Sequence, residues 1–270
     1  MIKDIVVHLS GSEEDEVRLA YAETISECFD AHLAGLYVHL LPEMVGADAV
    51  TMVGMDAWYE QSNTEAEVDF KRLKQRFERL RMPHDVRRLD VLSGTAGPAI
   101  ANRARLADLF VTTRPYGDPS HQGHAEVSVL FGSGRACFFV PPKGSPAKDF
   151  KTLVVAWDGS REAARAVAEA MPFLRRASQV IIVTVLQGDD DETGGDIARH
   201  LSRHGISSVI SRVDEGGEGS GSALLGEVRR VGANLLVMGG YGHSRLREWI
   251  LGGVTRHVLT HSHVPVLMAR

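Results

Sequence analysis

The sequence predicts an α/β protein made of two tandem five-stranded parallel-sheet domains, each with helices on both faces of its sheet. The first observation is an internal repeat: residues 3–12 read KDIVVHLSGS and residues 151–160 read KTLVVAWDGS. The second is that residues 107–113 (ADLFVTT) and 233–239 (ANLLVMG) are also alike and almost wholly apolar. Such short apolar runs are typical of strands buried on both faces of a parallel sheet. A repeat of this length indicates a pair of domains.

Strands and helices alternate throughout the second repeat. Its strands are predicted at residues 152–157, 179–186, 206–213, 234–239 and 264–269. Its helices are predicted at residues 161–176, 195–204, 222–231 and 254–262. This alternation implies a parallel sheet with right-handed crossover connections.

The first repeat follows the same order and is longer. Its first helix is predicted from Glu13 to about Ala31, and its last strand at Cys137–Val140. Ser12 and Ser160 precede the first helix of each repeat and are the predicted N-caps. The extra length lies at 41–58 and in a helix at 59–81. The segment 41–58 is interpreted as a surface insertion, with a lid or a partner-binding flap as the alternative.

A stretch rich in Pro, Gly, Ser and Lys separates the repeats at residues 141–148. This composition is typical of a linker. We therefore expect an amino-terminal domain over residues 1–142, a linker over 143–149 and a carboxyl-terminal domain over 150–270. We also expect the two domains to form an intramolecular pseudo-dimer, with their last strands near the interface.

Composition excludes several classes of function. Apolar residues make up 44% and charged residues 24% of the 270 residues, as in globular proteins with sizeable cores. The net charge of −5 offers no basic footprint for nucleic acid. No apolar run approaches the roughly 20 residues needed to cross a membrane. Cys28 and Cys137 form no CxxC pair, and the chain begins with a predicted strand, so we expect a cytoplasmic protein.

Glycines follow the fourth strand of the second repeat, where ligands bind in open parallel sheets. The chain reads Met-Gly-Gly-Tyr-Gly at 238–242, and Gly252 and Gly253 precede the last helix. Glycines let phosphate oxygens approach backbone amides, and a helix start offers N–H groups and a positive dipole end. Thr255 adds a hydroxyl in the first turn. On pattern alone, a phosphate site and a set of tight turns without a ligand are equally compatible.

The spacing G-x2-G-x9-G, formed by Gly239, Gly242 and Gly252, resembles the ATP motif of the universal stress protein family. Asp-Gly-Ser at 158–160 and His-Val-Pro-Val-Leu-Met at 263–268 resemble the first and last strands of that family. The likeness covers residues 150–270 and, more faintly, the first half. It implies a Rossmann-like fold of the adenine-nucleotide alpha hydrolase type.

The resemblance implies that the ligand is ATP or another adenine nucleotide, with Mg²⁺ or Mn²⁺. The residues expected to bind it are Ala156, Asp158, Val185, Met238, Gly239, Gly242, His243, Gly252, Gly253, Val254 and Thr255. Asp158 and the backbone of Val185 would hold the adenosine, and the residues from 252 to 255 would hold the phosphates. His243 lies beside the phosphate loop, where its charge would neutralise phosphate.

The sequence departs from the family pattern at several positions. Gly253 stands where the family usually has Ser or Thr, which removes one hydroxyl and weakens binding by about 1 kcal/mol. In the first half, Ser10 replaces the aspartate and Thr113 replaces the first glycine, so only Gly132-Ser133 resembles the phosphate end. We therefore expect the nucleotide in the second half and a degenerate site in the first.

Two histidine groups are weaker candidates. His200 and His204 lie four residues apart on a helix, but two histidines without a third ligand favour a solvated surface over a metal site. His121 and His124 beside Ser120 resemble a Ser/His pair without a positioned acid, and a polar loop is the favoured interpretation.

Three functions remain open from the sequence. The favoured one is a regulatory, nucleotide-binding protein of the stress response, with at most slow ATP hydrolysis. The second is an enzyme on a related scaffold, such as an adenylating ligase or an electron-transfer flavoprotein subunit, although SGGxDS, HIGH and KMSKS motifs are absent. The third is a ligand-free scaffold that binds unknown protein partners. Family resemblance further suggests a homodimer.

Overall fold

The computed structural model describes residues 1–43, 55–115, 125–186, 194–242 and 253–270. The strands in these ranges are β1 Asp4–Leu9, β2 His32–Leu40, β3 His84–Val91, β4 Leu109–Thr113, β5 Ala136–Val140, β6 Thr152–Ala156, β7 Gln179–Leu186, β8 Val209–Asp214, β9 Leu235–Gly239 and β10 Val266–Ala269. The helices are α1 Glu14–Phe29, α2 Met55–Phe77, α3 Ser93–Ala104, α4 Ala125–Gly132, α5 Arg161–Leu174, α6 Gly195–Arg203, α7 Ser220–Arg230 and α8 Val254–His261.

All ten described strands form one sheet, in the order β3-β2-β1-β4-β5-β10-β9-β6-β7-β8. Each half contributes five parallel strands with the same internal order. The halves meet where β5 pairs antiparallel with β10, with Val266 opposite Phe139 and Met268 opposite Cys137. This pairing confirms the expectation that the two last strands lie at the contact between the repeats.

Alternate residues of each strand face two separate hydrophobic layers. On β6, Leu153 and Val155 pack into a layer with α1, α2, α5 and α6, whereas Val154 packs into the layer with α3, α4, α7 and α8. Side chains of a strand alternate between the two faces of a sheet, and β6 has apolar side chains on both. The sheet is therefore covered by helices on both faces. The α/β fold with helices on both faces is confirmed.

An aromatic cluster joins the two halves beneath the sheet. Phe138 of β5 stacks on Phe173 of α5 with a centroid distance of 5.9 Å, and it contacts Phe150 edge-on at 5.7 Å. Tyr21 of α1 lies 6.3 Å from the same Phe138 ring. Because these rings belong to both repeats, the core is continuous across the chain.

Of the two serines predicted to cap the first helix of each repeat, the structure confirms one. Ser160 caps α5, since its hydroxyl accepts a hydrogen bond from the Ala163 amide at 3.1 Å. Ser12 as the side-chain cap of α1 is wrong: the N-cap is Glu13, without a side-chain cap bond. The Ser12 hydroxyl contacts Ser10 and Arg18 instead, because a buried arginine competes for it.

Several predicted boundaries shift by a few residues. Strand β8 begins at Val209, not at residue 206, because the turn after α6 extends through Gly205, whose φ is 76°. Strand β10 begins at Val266, after Pro265, which has no N–H for a ladder. Helix α2 covers 55–77, whereas 59–81 was expected. Residues 44–54 of the predicted insertion lie outside the described residues. Among the described helices, none is long and apolar enough to cross a membrane.

Candidate functional site

In the second half, the order in which the chain adds strands to the sheet reverses between β6 and β9. These neighbouring parallel strands lead into helices on opposite faces, since α5 packs in one hydrophobic layer and α8 in the other. The loops after β6 and β9 therefore lead to opposite faces at the carboxyl edge of the sheet, the place where open α/β folds form a crevice for ligands.

Three predicted ligand-binding residues lie at this edge, and two of them, Asp158 and Val185, are the predicted adenosine contacts. Ala156 is the last residue of β6 and is half-buried, and Asp158 lies two residues on in the exposed turn before α5. The Asp158 carboxylate accepts a hydrogen bond from the Ser160 amide at 3.0 Å, which orients it at the helix start. Val185 lies near the end of the adjacent strand β7 and is half-buried. These three residues are thus brought together on neighbouring strands.

The loop after β9 passes over the start of α5. Met238 is buried, and Gly239 packs so closely that a Cβ atom there would lie 2.5 Å from the Ala163 nitrogen. Gly240 is also tight, since its Cβ would lie 2.4 Å from Met268 Sδ. The exposed Gly242 differs, because the described atom nearest to its Cβ would be Glu162 Oε2 at 3.0 Å, the end of a long side chain.

A hydrogen bond connects this loop to the last helix. The Tyr241 amide donates to the hydroxyl of Thr255 at 3.4 Å, and Thr255 is 4% exposed in the first turn of α8. Tyr241 adopts a left-handed φ of 56°, which is uncommon for a residue with a side chain. Gly253 is the N-cap of α8 and makes no side-chain cap bond, and Val254 is exposed. The glycine loop and the α8 start therefore meet at the crevice.

The sequence reasoning missed Glu162, which is 3% exposed and faces the glycine loop. Burial is the largest single effect and acts to raise the pKa of this carboxyl. The hydrogen bond from Arg161 Nε at 2.6 Å, a backbone hydrogen bond and the charges of Arg161 and Arg270 together outweigh it, so the pKa is lowered. Glu162 is therefore ionised at neutral pH. The position of Glu162, directly after Asp-Gly-Ser and Arg161 in the sequence, is the signal that could have marked it as a site residue. Acidic residues are also common in the first turn of a helix, so this signal is not specific.

The described residues include nine of the eleven predicted site positions. Two predicted positions, His243 and Gly252, lie outside the described residues. The structure brings the nine together along the carboxyl edge, on β6, β7, β9 and the start of α8.

The corresponding edge of the first half contains a buried arginine. Arg18 is 1% exposed and donates to the carbonyl of His8 at 3.0 Å and to the hydroxyls of Ser10 and Ser12 at 3.1 and 3.3 Å. In the internal repeat, Arg18 corresponds to Ala166, which has no comparable reach. In the first half, the Arg18 guanidinium therefore lies at the position that corresponds to the Asp158 turn of the second half.

The histidine groups that the sequence offered as weaker candidates show no metal-binding arrangement among the described residues. His200 and His204 are neighbours, with ring centroids 4.8 Å apart. In the part of the chain that the structure describes, no group of three or more His, Cys, Asp or Glu side chains is arranged for a metal. Ser120, His121 and His124 lie outside the described residues.

Comparisons with known proteins agree with the fold. A universal stress protein from Archaeoglobus fulgidus DSM 4304 is 18% identical, with a TM-score of 0.72 over 98% of this chain and 97% of that chain. A protein of unknown function from Pseudomonas aeruginosa PAO1 is 13% identical, with a TM-score of 0.60 over 99% of this chain and 92% of that one. At these identities the likeness shows the fold alone.

Shorter matches also occur. An Arabidopsis thaliana protein of the universal stress protein family, solved with AMP bound, is 18% identical and covers 44% of this chain and 90% of its own. Its TM-score of 0.31 is too low to support an argument about this chain. No curated protein matches the chain.

The family model described as the universal stress protein family matches residues 149–270. This range includes β6 to β10 and the glycine loop described above. The resemblance read from the sequence is therefore confirmed for the second half. Residues 149–270 therefore form a domain of the universal stress protein family.

Proposed function

We propose that the second half binds an adenine nucleotide, ATP in particular, and that the protein acts as a nucleotide-responsive regulatory module of the stress response. The observation that carries the proposal is the hydrogen bond between the Tyr241 amide and the Thr255 hydroxyl. This hydrogen bond joins the glycine loop to the start of α8, at the point where the strand order reverses. Backbone amides at such a place favour phosphate groups.

The start of α8 supports the phosphate end of this proposal. Because the N-cap is Gly253, the cap residue itself has no side chain that would compete with phosphate oxygens for the N–H groups of the first turn. Val254 and Gly242 are both exposed. The positive end of the helix dipole adds a further attraction for anions, typically 0.3–1 kcal/mol, about the strength of one exposed ion pair.

Asp158 supports the nucleoside end. Its carboxylate is exposed at the carboxyl end of β6, next to the half-buried Ala156 and one strand away from Val185. An exposed carboxylate accepts hydrogen bonds from the two ribose hydroxyls. The apolar edges of the neighbouring residues suit the adenine ring.

Binding is favoured over catalysis by the charge state of Glu162. Among the described residues, Glu162 is a buried carboxylate that faces the glycine loop, and the Arg161 hydrogen bond acts to lower its pKa against the effect of burial. A general base works best with a pKa near the working pH, so this carboxylate is a poor base. Slow ATP hydrolysis stays a secondary possibility of the proposal.

We further propose that residues 1–142 form a domain with a degenerate site, joined by a linker at 143–149 to the domain at 150–270. The support is Arg18, whose guanidinium is held by His8, Ser10 and Ser12 at the edge where a nucleoside would lie. Cytoplasmic location and pairing of two chains stay predictions of the sequence and its family resemblance.

Equilibrium titration with a fluorescent ATP analogue and Mg²⁺ tests the proposal. Competition with unlabelled ATP, ADP, AMP, cAMP and GTP then ranks the ligands. We expect one site per chain, displaced by adenine nucleotides more readily than by GTP. No saturable binding at millimolar nucleotide would contradict the proposal and favour a ligand-free scaffold. Release of AMP and pyrophosphate would instead favour an adenylating enzyme.

A further inference from the structure

A serine, a histidine and an aspartate form a chain of hydrogen bonds in the first half, far from the glycine loop along the sheet. Ser62 Oγ of α2 lies 2.9 Å from His39 Nε2 of β2, and His39 Nδ1 lies 2.7 Å from Asp90 Oδ1 of β3. His39 and Asp90 are direct partners in the register of β2 and β3. The order and both distances match those of a nucleophilic serine with its base and orienting acid.

Two groups face His39 Nδ1: Asp90 Oδ1 at 2.7 Å and the guanidinium of Arg88 at 3.2 Å. An ionised carboxylate only accepts hydrogen bonds, so the shorter of the two contacts assigns the Nδ1 proton to the bond with Asp90. In the neutral ring Nε2 is then an acceptor, and the Ser62 hydroxyl donates to it. This is the tautomer that a general base needs in order to take the serine proton.

Arg88 keeps this arrangement in place. Its guanidinium donates to Asp90 Oδ1 at 2.7 Å and to Asn63 Oδ1 at 2.6 Å, which ties β3 to α2. Burial acts to raise the pKa of Asp90, but the hydrogen bonds from His39 and Arg88 outweigh it and the pKa is lowered. Asp90 is therefore ionised at neutral pH and orients the imidazole.

Accessibility differs along the chain of hydrogen bonds in a way that suits a reactive serine. His39 is 8% exposed, whereas Ser62 is only half-buried. Buried imidazole keeps its orientation, and a half-buried hydroxyl can be reached by a small electrophile.

We propose that Ser62 is an activated nucleophile that accepts acyl groups from activated esters. Ser62 Oγ bonds to the ester carbonyl carbon while His39 Nε2 takes the hydroxyl proton. The bond from that carbon to the leaving oxygen then breaks, and the leaving oxygen receives the proton from Nε2. Water releases the acyl group by the same two proton transfers, so that the ester and water give a carboxylic acid and an alcohol.

The position of Ser62 sets the class of ester. Ser62 is the eighth residue of α2 as described, so its own N–H belongs to the helix interior and offers no oxyanion hydrogen bond. One missing oxyanion donor costs a factor on the order of 100 to 1000 in rate. We therefore expect reaction with esters of good leaving groups and not with amides.

The nearby surface favours an apolar acyl group. Trp58 lies four residues before Ser62 on the same face of α2 and is 49% exposed. Leu92, two residues after Asp90 in the chain, is 42% exposed. Large exposed apolar side chains close to a reactive group give an acyl chain a surface to pack on.

The test measures hydrolysis of p-nitrophenyl butyrate and labelling by a fluorophosphonate probe, with the labelled peptide identified by mass spectrometry. The probe should attach to Ser62, and Ser62→Ala should remove both signals. His39→Gln and Asp90→Asn should each lower the hydrolysis rate by a factor on the order of 100. The melting temperature of each variant is measured alongside, and Ser62→Ala is expected to melt like the native protein.

A matched control exists in the second half. Ser222 Oγ lies 3.2 Å from His257 Nε2, and both residues are half-buried like Ser62. Among the described residues, His257 is hydrogen-bonded to no carboxylate, and its ring stacks near His261. Ser222→Ala should leave hydrolysis and labelling unchanged.

Two results would overturn the proposal. One is a native protein whose labelling is absent or falls on serines other than Ser62. The other is a folded Ser62→Ala variant that hydrolyses the ester as fast as the native protein. Nucleotide binding is measured in the same variants and should not change, because the hydrogen-bonded chain lies on β2, β3 and α2 and the proposed nucleotide site does not.

Discussion

Gly239 lies so close to Ala163 that a Cβ atom at position 239 would come within 2.5 Å of the Ala163 backbone nitrogen. The first glycine of the loop motif therefore has a packing reason of its own, since it lets the end of β9 approach the start of α5. Gly242 is exposed, and among the described residues it is the end of the Glu162 side chain that lies near it. The two glycines of the same motif thus have separable roles.

Gly239→Ala should destabilise the protein. The atoms that the new methyl group would meet belong to the backbone of Glu162 and Ala163, which can move only if α5 shifts. Overpacking of this kind costs about 1–3 kcal/mol. Urea unfolding measures the loss, and Gly242→Ala serves as the matched control, with a change of about 0.5 kcal/mol or less. Equal losses in both variants would contradict the assignment of roles.

Gly242→Val should abolish nucleotide binding while the fold stays intact. The branched side chain would fill the approach to the loop amides, whereas among the described residues the nearest atom to an added Cβ belongs to the carboxylate end of the Glu162 side chain. A rise in Kd of more than about tenfold, or about 1.4 kcal/mol, is expected in the ATP titration. Gly217→Val is the control, because no atom lies within 4 Å of the added Cβ. Unchanged affinity in Gly242→Val would refute this placement of the phosphates.

Glu162→Gln should strengthen binding of ATP in the absence of Mg²⁺. The Glu162 carboxylate faces Gly242 and is ionised, so its charge opposes phosphate there unless a cation lies between them. The amide removes the charge and keeps the shape of the side chain. Titration in EDTA and in Mg²⁺ should show a smaller benefit from Mg²⁺ in the variant. An unchanged benefit would mean that the phosphates do not pass Glu162.

Phe138→Ala should destabilise both halves together. The Phe138 ring is fully buried and contacts Tyr21 of the first half as well as Phe150 and Phe173. A Phe→Ala change in a core typically costs about 3–5 kcal/mol. Calorimetry should give one unfolding transition, moved to lower temperature as a whole. A variant in which only one half loses stability would show that the halves unfold independently. Leu106→Ala, at a residue 89% exposed, is the control.

Glu227 should make stability depend on acid pH. Hydrogen bonds from Arg230 lower the pKa of Glu227 below 4.5, against the effect of burial. A carboxyl with a lowered folded-state pKa stabilises the protein above its unfolded-state pKa, and this contribution is lost as the pH falls through the folded-state value. The gap in unfolding free energy between native protein and Glu227→Gln should therefore close below about pH 4.5. A gap that stays constant with pH would contradict this.

The sequence alone determined the α/β class, the two repeats, the strands from their apolar runs and the glycine loop after β9. These features are determined by residues that are close together in the sequence. Strands buried on both faces are apolar runs, and tight turns contain glycine. The boundary errors at β8 and α2 are of one to four residues, because local signals weaken at element ends.

Only the tertiary structure decided what depends on residues far apart in the chain. It placed Arg18 across the first half's edge, and thereby removed Ser12 from the α1 cap. It separated the packing role of Gly239 from the open position of Gly242. It also brought Ser62 and Asp90 to the two nitrogens of His39, across 23 and 51 residues of sequence. No local pattern encodes these contacts, because side chains meet only when the strands of the sheet take their order.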